Sequence, residues 1–269
     1  MRELIELTSA NGDSRVVAST FGGRVISWKH RGREVIFRNA TLELDEFAAS
    51  HCGVPILFPQ FGKFGDGEKH GFVRNAKWKV ESASRDQCIL IFSTDETELA
   101  NSELQQFVVR VIVQLDDDRL RIWLQTENTS PSDSLTFTAG LHTYLAVNDV
   151  SSALLTGLQG ANFLDVANDL APSVDLSSHV VLGAEVDRVY VDTPMPISLD
   201  GASFKLTIDQ QGFEDTVVWN PGEKLAQTFA DLGVDEWRKF VCIEAAQIQN
   251  PVNLQPGETW TGSQTLTVR

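Results

Sequence analysis

Two ionisable side chains interrupt apolar segments of the chain: His142 in LTFTAGLHTYLAV and Glu244 in KFVCIEAAQI. Strand alternation in the first segment puts Leu135, Phe137, Ala139 and Leu141 on one face. Thr136, Thr138, Gly140, His142 and Tyr144 take the other, because successive side chains of a strand point to opposite sides. The imidazole thus shares a polar face with a glycine, and a strand glycine admits close approach by a ligand or another backbone. A half-buried strand histidine bonded to a neighbouring hydroxyl is the competing reading. In the second segment a lone carboxylate sits where charge is costly unless paired or hydrogen-bonded. Desolvation raises the pKa of such a group, which suits it to take and return protons near neutrality. Here the competing reading is a salt bridge to a distant arginine.

The stretch EKHGFVRN, residues 68–75, sets Lys69, His70 and Arg74 around a glycine. It reads either as a solvated charged loop or as groups converging on a ligand. Asp187 in AEVDRVYVD has Glu185 and Arg188 as neighbours, so a surface ion pair is its plain reading. His30 beside a hairpin turn and His179 in a polar stretch read as solvated. Asp116 to Asp118 read as a hairpin tip. The chain has no GxSxG elbow, phosphate loop, dinucleotide fingerprint or HxxxH spacing. A histidine and a carboxylate without such motifs point to proton transfer needing neither cofactor nor metal.

The formal net charge of the 269 residues is −15. Such a surface repels phosphate backbones and excludes nucleic acid as a partner, and an anionic substrate requires local cations that overcome the overall field. Three cysteines, Cys52, Cys88 and Cys242, without metal-ligand spacing fit buried free thiols in a reducing compartment. The start MRELIEL lacks the apolar core of a signal peptide. No run reaches the ~18 apolar residues of a membrane span. The expectation is a cytoplasmic protein with no membrane partner.

Alternation dominates the elements that must hold these groups. VVRVIVQL and RLRIWLQTE read as neighbouring strands, and RVISWKHRGREVIF as a hairpin turning at Arg31–Gly32. CILIFSTD, FKLTID, DTVVWN and TWTGSQTLTV are further strands, and the best helical stretch, EKLAQTF, is short. The expectation is one all-β domain over residues 1–269, built from two large packed antiparallel sheets.

In chain order, SWKHRGREVIF, GVPILFPQFG, HGFVRN, LHTY, EVDRVY, VVWNPGEK, CIEAA and PGETWTGSQTL span nearly the whole sequence. With these segments the chain resembles the glucose-6-phosphate 1-epimerases, or hexose-6-phosphate mutarotases, of the galactose-mutarotase-like superfamily. The resemblance implies a large β-sandwich, the supersandwich, with the sugar in a cleft on one sheet. It implies His142 as general acid, Glu244 as general base, Arg74 as a substrate ligand aimed at phosphate, Asp187 as a sugar or orienting contact, and His70 in the same cleft. Two positions depart from the family pattern: His51 stands where an arginine is usual, and Lys69 where a glutamine is usual. Both positions belong to the family's substrate-binding set. Lys69 or Lys63 can supply charge, but lysine lacks the planar two-point grip of arginine on phosphate. The implied activity is anomer interconversion of a hexose 6-phosphate by a monomer acting on a sugar or sugar phosphate. The alternatives are a mutarotase of unphosphorylated or sulfonated sugars and a non-catalytic carbohydrate-binding protein.

Overall fold

A computed structural model describes residues 3–39, 51–94, 105–201 and 203–269. The described strands are, in chain order, β1 (Leu4–Thr8), β2 (Ser14–Ser19), β3 (Arg24–His30), β4 (Arg33–Glu34), β5 (Ile56–Leu57), β6 (Lys79–Ala83), β7 (Gln87–Ser93), β8 (Phe107–Leu115), β9 (Arg119–Asn128), β10 (Leu135–Leu141), β11 (Tyr144–Ala146), β12 (Leu154–Thr156), β13 (Asn162–Asp165), β14 (Ala171–Val174), β15 (Val186–Tyr190), β16 (Ile197–Asp200), β17 (Lys205–Gln211), β18 (Asp215–Asn220), β19 (Phe240–Leu254) and β20 (Thr259–Val268). The fold is a large antiparallel β-sandwich. One eight-stranded sheet runs β14-β13-β15-β18-β19-β10-β5, with β11 also pairing to β19. The other runs β12-β16-β17-β20-β9-β8-β7-β6, and β1 to β4 form a third sheet. No helix among the described residues is long and apolar enough to cross a membrane.

The expected hairpins are present. Leu120, Ile122 and Leu124 of β9 are buried while Arg119, Arg121 and Trp123 are half-exposed. The Arg31–Gly32 turn joins β3 to β4, with Arg31 at φ +49°. EKLAQTF supplies only a five-residue helix, α1 (Gly222–Ala226). Cys52, Cys88 and Cys242 are buried free thiols.

The two faces of β19 separate core from site. Val241, Ile243 and Ala245 join the large apolar cluster shared by the sheets. Cys242 and Ala246 belong to smaller clusters on the opposite face. Glu244, in phase with them, is thereby lifted out of the main core onto the cleft side of the sheet. Removing apolar area from water contributes roughly 25 cal/mol per Å². That sum over the core holds β19 in a register that a single carboxylate does not overturn.

Candidate active site

Two adjacent rows of the first sheet carry the site. Asp187 of β15 lies opposite Trp219 of β18, which lies opposite Cys242 of β19, itself opposite Tyr144 of β11. One row along, Val189, Val217 and Glu244 are in register. His142 occupies the break between β10 and β11, its N–H donating to the Pro55 carbonyl at 3.0 Å. The next residue is pinned from the second sheet. The Thr143 hydroxyl donates to Gln264 Oε1 at 2.6 Å, and Gln264 Nε2 donates to the Ile243 carbonyl at 2.9 Å. One amide of β20 therefore fixes the backbone beside both His142 and Glu244.

His142 Nδ1 is 3.4 Å from Glu244 Oε1, with side-chain exposures of 13% and 2%. The imidazole stacks on Tyr144 at 4.7 Å and 7°, and Trp219 meets its edge at 5.8 Å. Burial pushes the Glu244 carboxyl well up, the Asp187 charge adds to this, and Lys69 opposes it. Burial pulls the His142 imidazolium well down, helped by His70, His51, Arg74 and Lys69. Burial thus favours the neutral form of each group, and His142 Nδ1 makes no hydrogen bond among the described residues. Glu244 Oε2 is buried with no hydrogen-bond partner among the described residues, a polar atom left for a ligand.

Beside the pair opens a cleft of about 940 Å³. It is lined by every residue singled out from the sequence: His51, Lys69, His70, Arg74, His142, Asp187 and Glu244. Four Arg and Lys side chains face it against three carboxylates, a local cationic excess in a chain of net charge −15. The loop bearing Lys63, Lys69 and His70 is tied by Gln60. Its Nε2 donates to the Gly62 and Gly67 carbonyls, and its Oε1 accepts from Gly67 N–H at 2.8 Å. The Thr138 hydroxyl of β10 accepts the Phe61 N–H at 2.8 Å, anchoring the loop to the strand that leads to His142.

His70 Nδ1 accepts the Gly62 N–H at 3.2 Å, so its proton sits on Nε2. Burial, with Arg74 and Lys69, pulls its pKa down to about 3. His70 is therefore a neutral hydrogen-bond donor suited to a hydroxyl and contributes no charge. Gly71, at φ +64°, packs where a Cβ would lie 1.9 Å from the Phe58 carbonyl oxygen. Gly71→Ala is expected to cost about 2 kcal/mol or more. A denaturation midpoint equal to wild type would contradict that.

Arg74 stands on a single 3-10 turn, Val73–Asn75, and donates from Nη2 to the Lys69 carbonyl at 3.1 Å. Its buried Nε has no hydrogen-bond partner among the described residues. Asp187 faces the cleft, whereas Arg188 turns away to Asp175 at 3.3 Å, so the surface pair Asp187–Arg188 does not form. Burial pushes the Asp187 carboxyl up to about 7, against the Lys69 charge. His51 Nδ1 lies 2.8 Å from Asp231 Oδ1, and its backbone N–H donates to Oδ2 at 2.7 Å. The ring packs against Phe229 at 4.1 Å.

Three placements differ from the sequence reading or escaped it. Gly140 is bare because the Phe61 ring lies there, 2.6 Å from where a Cβ would be; it serves the loop anchor and not a ligand. Arg24 lines the cleft although only 2% exposed; its one signal was a charge opening the apolar run RVISW. Asp231 had no signal at all. His142, Cys242 and Glu244 place one donor atom each within 4.8 Å. The Cys242 thiol is held protonated by burial and by Glu244, a poor ligand, so the trio fits proton chemistry better than a cation.

The aldose 1-epimerase family model matches residues 3–267. The chain belongs to the aldose 1-epimerase family. A Cenchrus ciliaris protein named "Putative glucose-6-phosphate 1-epimerase" is 31% identical over 90% of this chain and 78% of its own length. An Escherichia coli K12 protein of the same name is 28% identical over 91% and 85%. The crystal structure of a "putative mutarotase" from Salmonella typhimurium superposes with a TM-score of 0.86 at 23% identity, covering 99% of this chain and 90% of that one. An aldose 1-epimerase interconverts the anomers of a sugar. That reaction asks for a base and an acid on one cleft wall.

With Glu244 as the base that the resemblance implies, the acidic limb of the pH profile has a signed response to its charged neighbours. Asp187 raises the Glu244 pKa and Lys69 lowers it. Asp187→Asn should therefore move the acidic limb of kcat/KM to lower pH, and Lys69→Met should move it to higher pH. Profiles of the two variants shifted in the same direction would contradict this placement of the charges.

Proposed function

We propose that this aldose 1-epimerase acts on a hexose 6-phosphate, interconverting its α and β anomers with His142 and Glu244 as the proton-transfer pair. The observation that carries the substrate class is Arg74. Its guanidinium lines the same cleft as the pair, with a buried Nε lacking a hydrogen-bond partner among the described residues. Charge-assisted contacts to a planar guanidinium are the strong way to hold a phosphate.

The chemistry needs one proton on the pair. One member takes the proton from the anomeric hydroxyl while the other protonates the ring oxygen, and the C1–O5 bond breaks to give the aldehyde. Rotation about C1–C2 turns the other carbonyl face to O5. The proton on the first member then returns to O1 as O5 closes on C1 and gives its proton back. In the assignment implied by the family, Glu244 is the base and His142 the acid. Each proton returns to the member it came from, so the pair is reset at the end of the cycle. His70 Nε2–H and Asp187 suit the hydroxyls between the pair and Arg74.

Glucitol 6-phosphate imitates the open chain. Its affinity, measured by calorimetry, should exceed that of glucitol by about 10-fold or more. Equal affinities would remove phosphate from the substrate description.

A further inference from the structure

We infer that Gln264 is a positioning residue for anomer exchange: its side-chain amide replaces a strand hydrogen bond missing between Thr143 and Ile243, and so holds the chain bent where it presents His142 to Glu244. This rests on the reading of His142 and Glu244 as the proton-transfer pair and adds to it a residue from the opposite sheet.

The register shows which bond is missing. Leu141 lies opposite Ala245 and Tyr144 opposite Cys242, which sets Thr143 opposite Ile243. Directly opposed residues of an antiparallel ladder exchange either two N–H to O=C bonds or none. Here only one of two forms: the Ile243 N–H donates to the Thr143 carbonyl at 3.1 Å. The Thr143 N–H turns back instead to the Leu141 carbonyl, two residues earlier in its own chain, at 2.9 Å. This tight turn encloses His142. The His142 and Tyr144 N–H groups donate to the Pro55 and Gly53 carbonyls, both at 3.0 Å, and so hold the bend from its other side.

The Ile243 carbonyl thereby loses its strand donor, and a buried carbonyl left without one is costly. Gln264 Nε2 supplies the donor at 2.9 Å. A carbonyl can only accept, so the amide must turn its nitrogen to Ile243 and its oxygen to Thr143. The Thr143 hydroxyl then donates to Gln264 Oε1 at 2.6 Å, a shorter contact than the one to the Leu141 carbonyl at 3.4 Å. Three hydrogen bonds close a ring through Thr143, Ile243 and Gln264, each exposed by 1% or less. Gln264 reaches across because it is in phase with the buried Gly262 and Leu266 of β20.

The ring joins the residue after His142 to the residue before Glu244. Without the amide, the Ile243 carbonyl is satisfied most simply if the Thr143 N–H swings back into the ladder. That straightens the bend and moves His142 relative to Glu244, 3.4 Å away. A misplacement of about 1 Å can cost on the order of 100-fold in rate. Gln264 and Thr143 are not among the described residues that line the cleft, so the loss belongs to kcat and not to KM.

The test is kcat and KM for glucose 6-phosphate and for glucose, measured by anomer exchange in wild type, Q264M, T143V, T143S and the double variant Q264M/T143V. Q264M should lower kcat by about 10- to 100-fold for both sugars, with KM within about 2-fold of wild type. T143V keeps the shape but loses the hydroxyl that orients the amide, and should lower kcat by about 3- to 10-fold; T143S, which restores the hydroxyl, should recover most of that. The double variant should be no more than about 2-fold slower than Q264M, because Thr143 acts through Gln264. Wild-type kcat in Q264M overturns the inference, as does a loss carried by KM alone, or a T143S protein as slow as T143V. If Q264M fails to fold, T143V and T143S carry the comparison, and wild-type kcat in T143V overturns it. Near-wild-type exchange in both E244Q and H142A overturns the proton-pair reading instead, which separates the two failures.

Discussion

Glu244→Gln is expected to lower the rate of anomer exchange by about 100-fold or more, and His142→Ala to do the same. Glutamine keeps the shape of the side chain and can occupy the same space on β19, but it cannot take and return a proton. Around His142 lie Glu244 at 3.4 Å, the Cys242 thiol, the His70 ring at 5.7 Å and the Tyr144 and Trp219 rings. Removing either member of the pair leaves the reaction without its acid or its base. The double variant should therefore be little slower than either single one, as residues that act as a unit are strongly non-additive. Stability separates this from a structural role. The folded pKa of Glu244 is raised, chiefly by burial. Any stability it provides is present below its unfolded pKa and is lost as pH rises through the folded value. Because the fold disfavours the charged carboxylate, Glu244→Gln should unfold no sooner than wild type at alkaline pH. A variant that loses activity only because it melts earlier would contradict the role of Glu244. Near-wild-type turnover in both variants would remove the pair from the mechanism.

Arg74→Ala impairs exchange of glucose 6-phosphate far more than exchange of glucose. A charge-assisted contact contributes about 1.5–3 kcal/mol, or roughly 10- to 150-fold. The neighbouring imidazole cannot replace it, because His70 is neutral, with its Nδ1 committed to Gly62. Lys63 and Lys69 are exposed at the rim of the cleft, where solvent weakens their hold. Both rates are read from the same exchange experiment at matched substrate concentrations. Equal losses for the two sugars would place Arg74 in general sugar binding or in shaping the 68–75 loop.

Much of this site was legible in the sequence because it rests on strand periodicity. Alternation along LTFTAGLHTYLAV put His142 on the side of Thr138 and Tyr144, and the structure has it facing the cleft from the break between β10 and β11. The lone carboxylate of CIEAA marked the cleft side of β19, where Cys242, Glu244 and Ala246 share a face. The charged loop around Gly71 converges on the same cleft through contacts that Gln60 makes with its own neighbours. What periodicity could not show are contacts between distant segments. His51 and Asp231 are 180 residues apart, and Thr143 and Gln264 are 121 apart, with no local signal at Asp231 or Gln264. The place of Arg24 in the cleft depends likewise on β3 lying against the distant Arg74 turn. Gly140 shows the opposite error: a strand glycine correctly implied a close approach, but the group that approaches is the Phe61 ring.

Two-dimensional exchange NMR on the C1 protons of equilibrated glucose 6-phosphate and glucose, with chelator-treated protein and no nucleotide, tests the central claim most directly. The account predicts that catalytic amounts of the protein speed exchange between the α and β signals of both sugars. It predicts the larger gain for glucose 6-phosphate and loss of most of that gain in Glu244→Gln. Exchange of both sugars at the buffer rate, or acceleration that survives intact in Glu244→Gln, would contradict it.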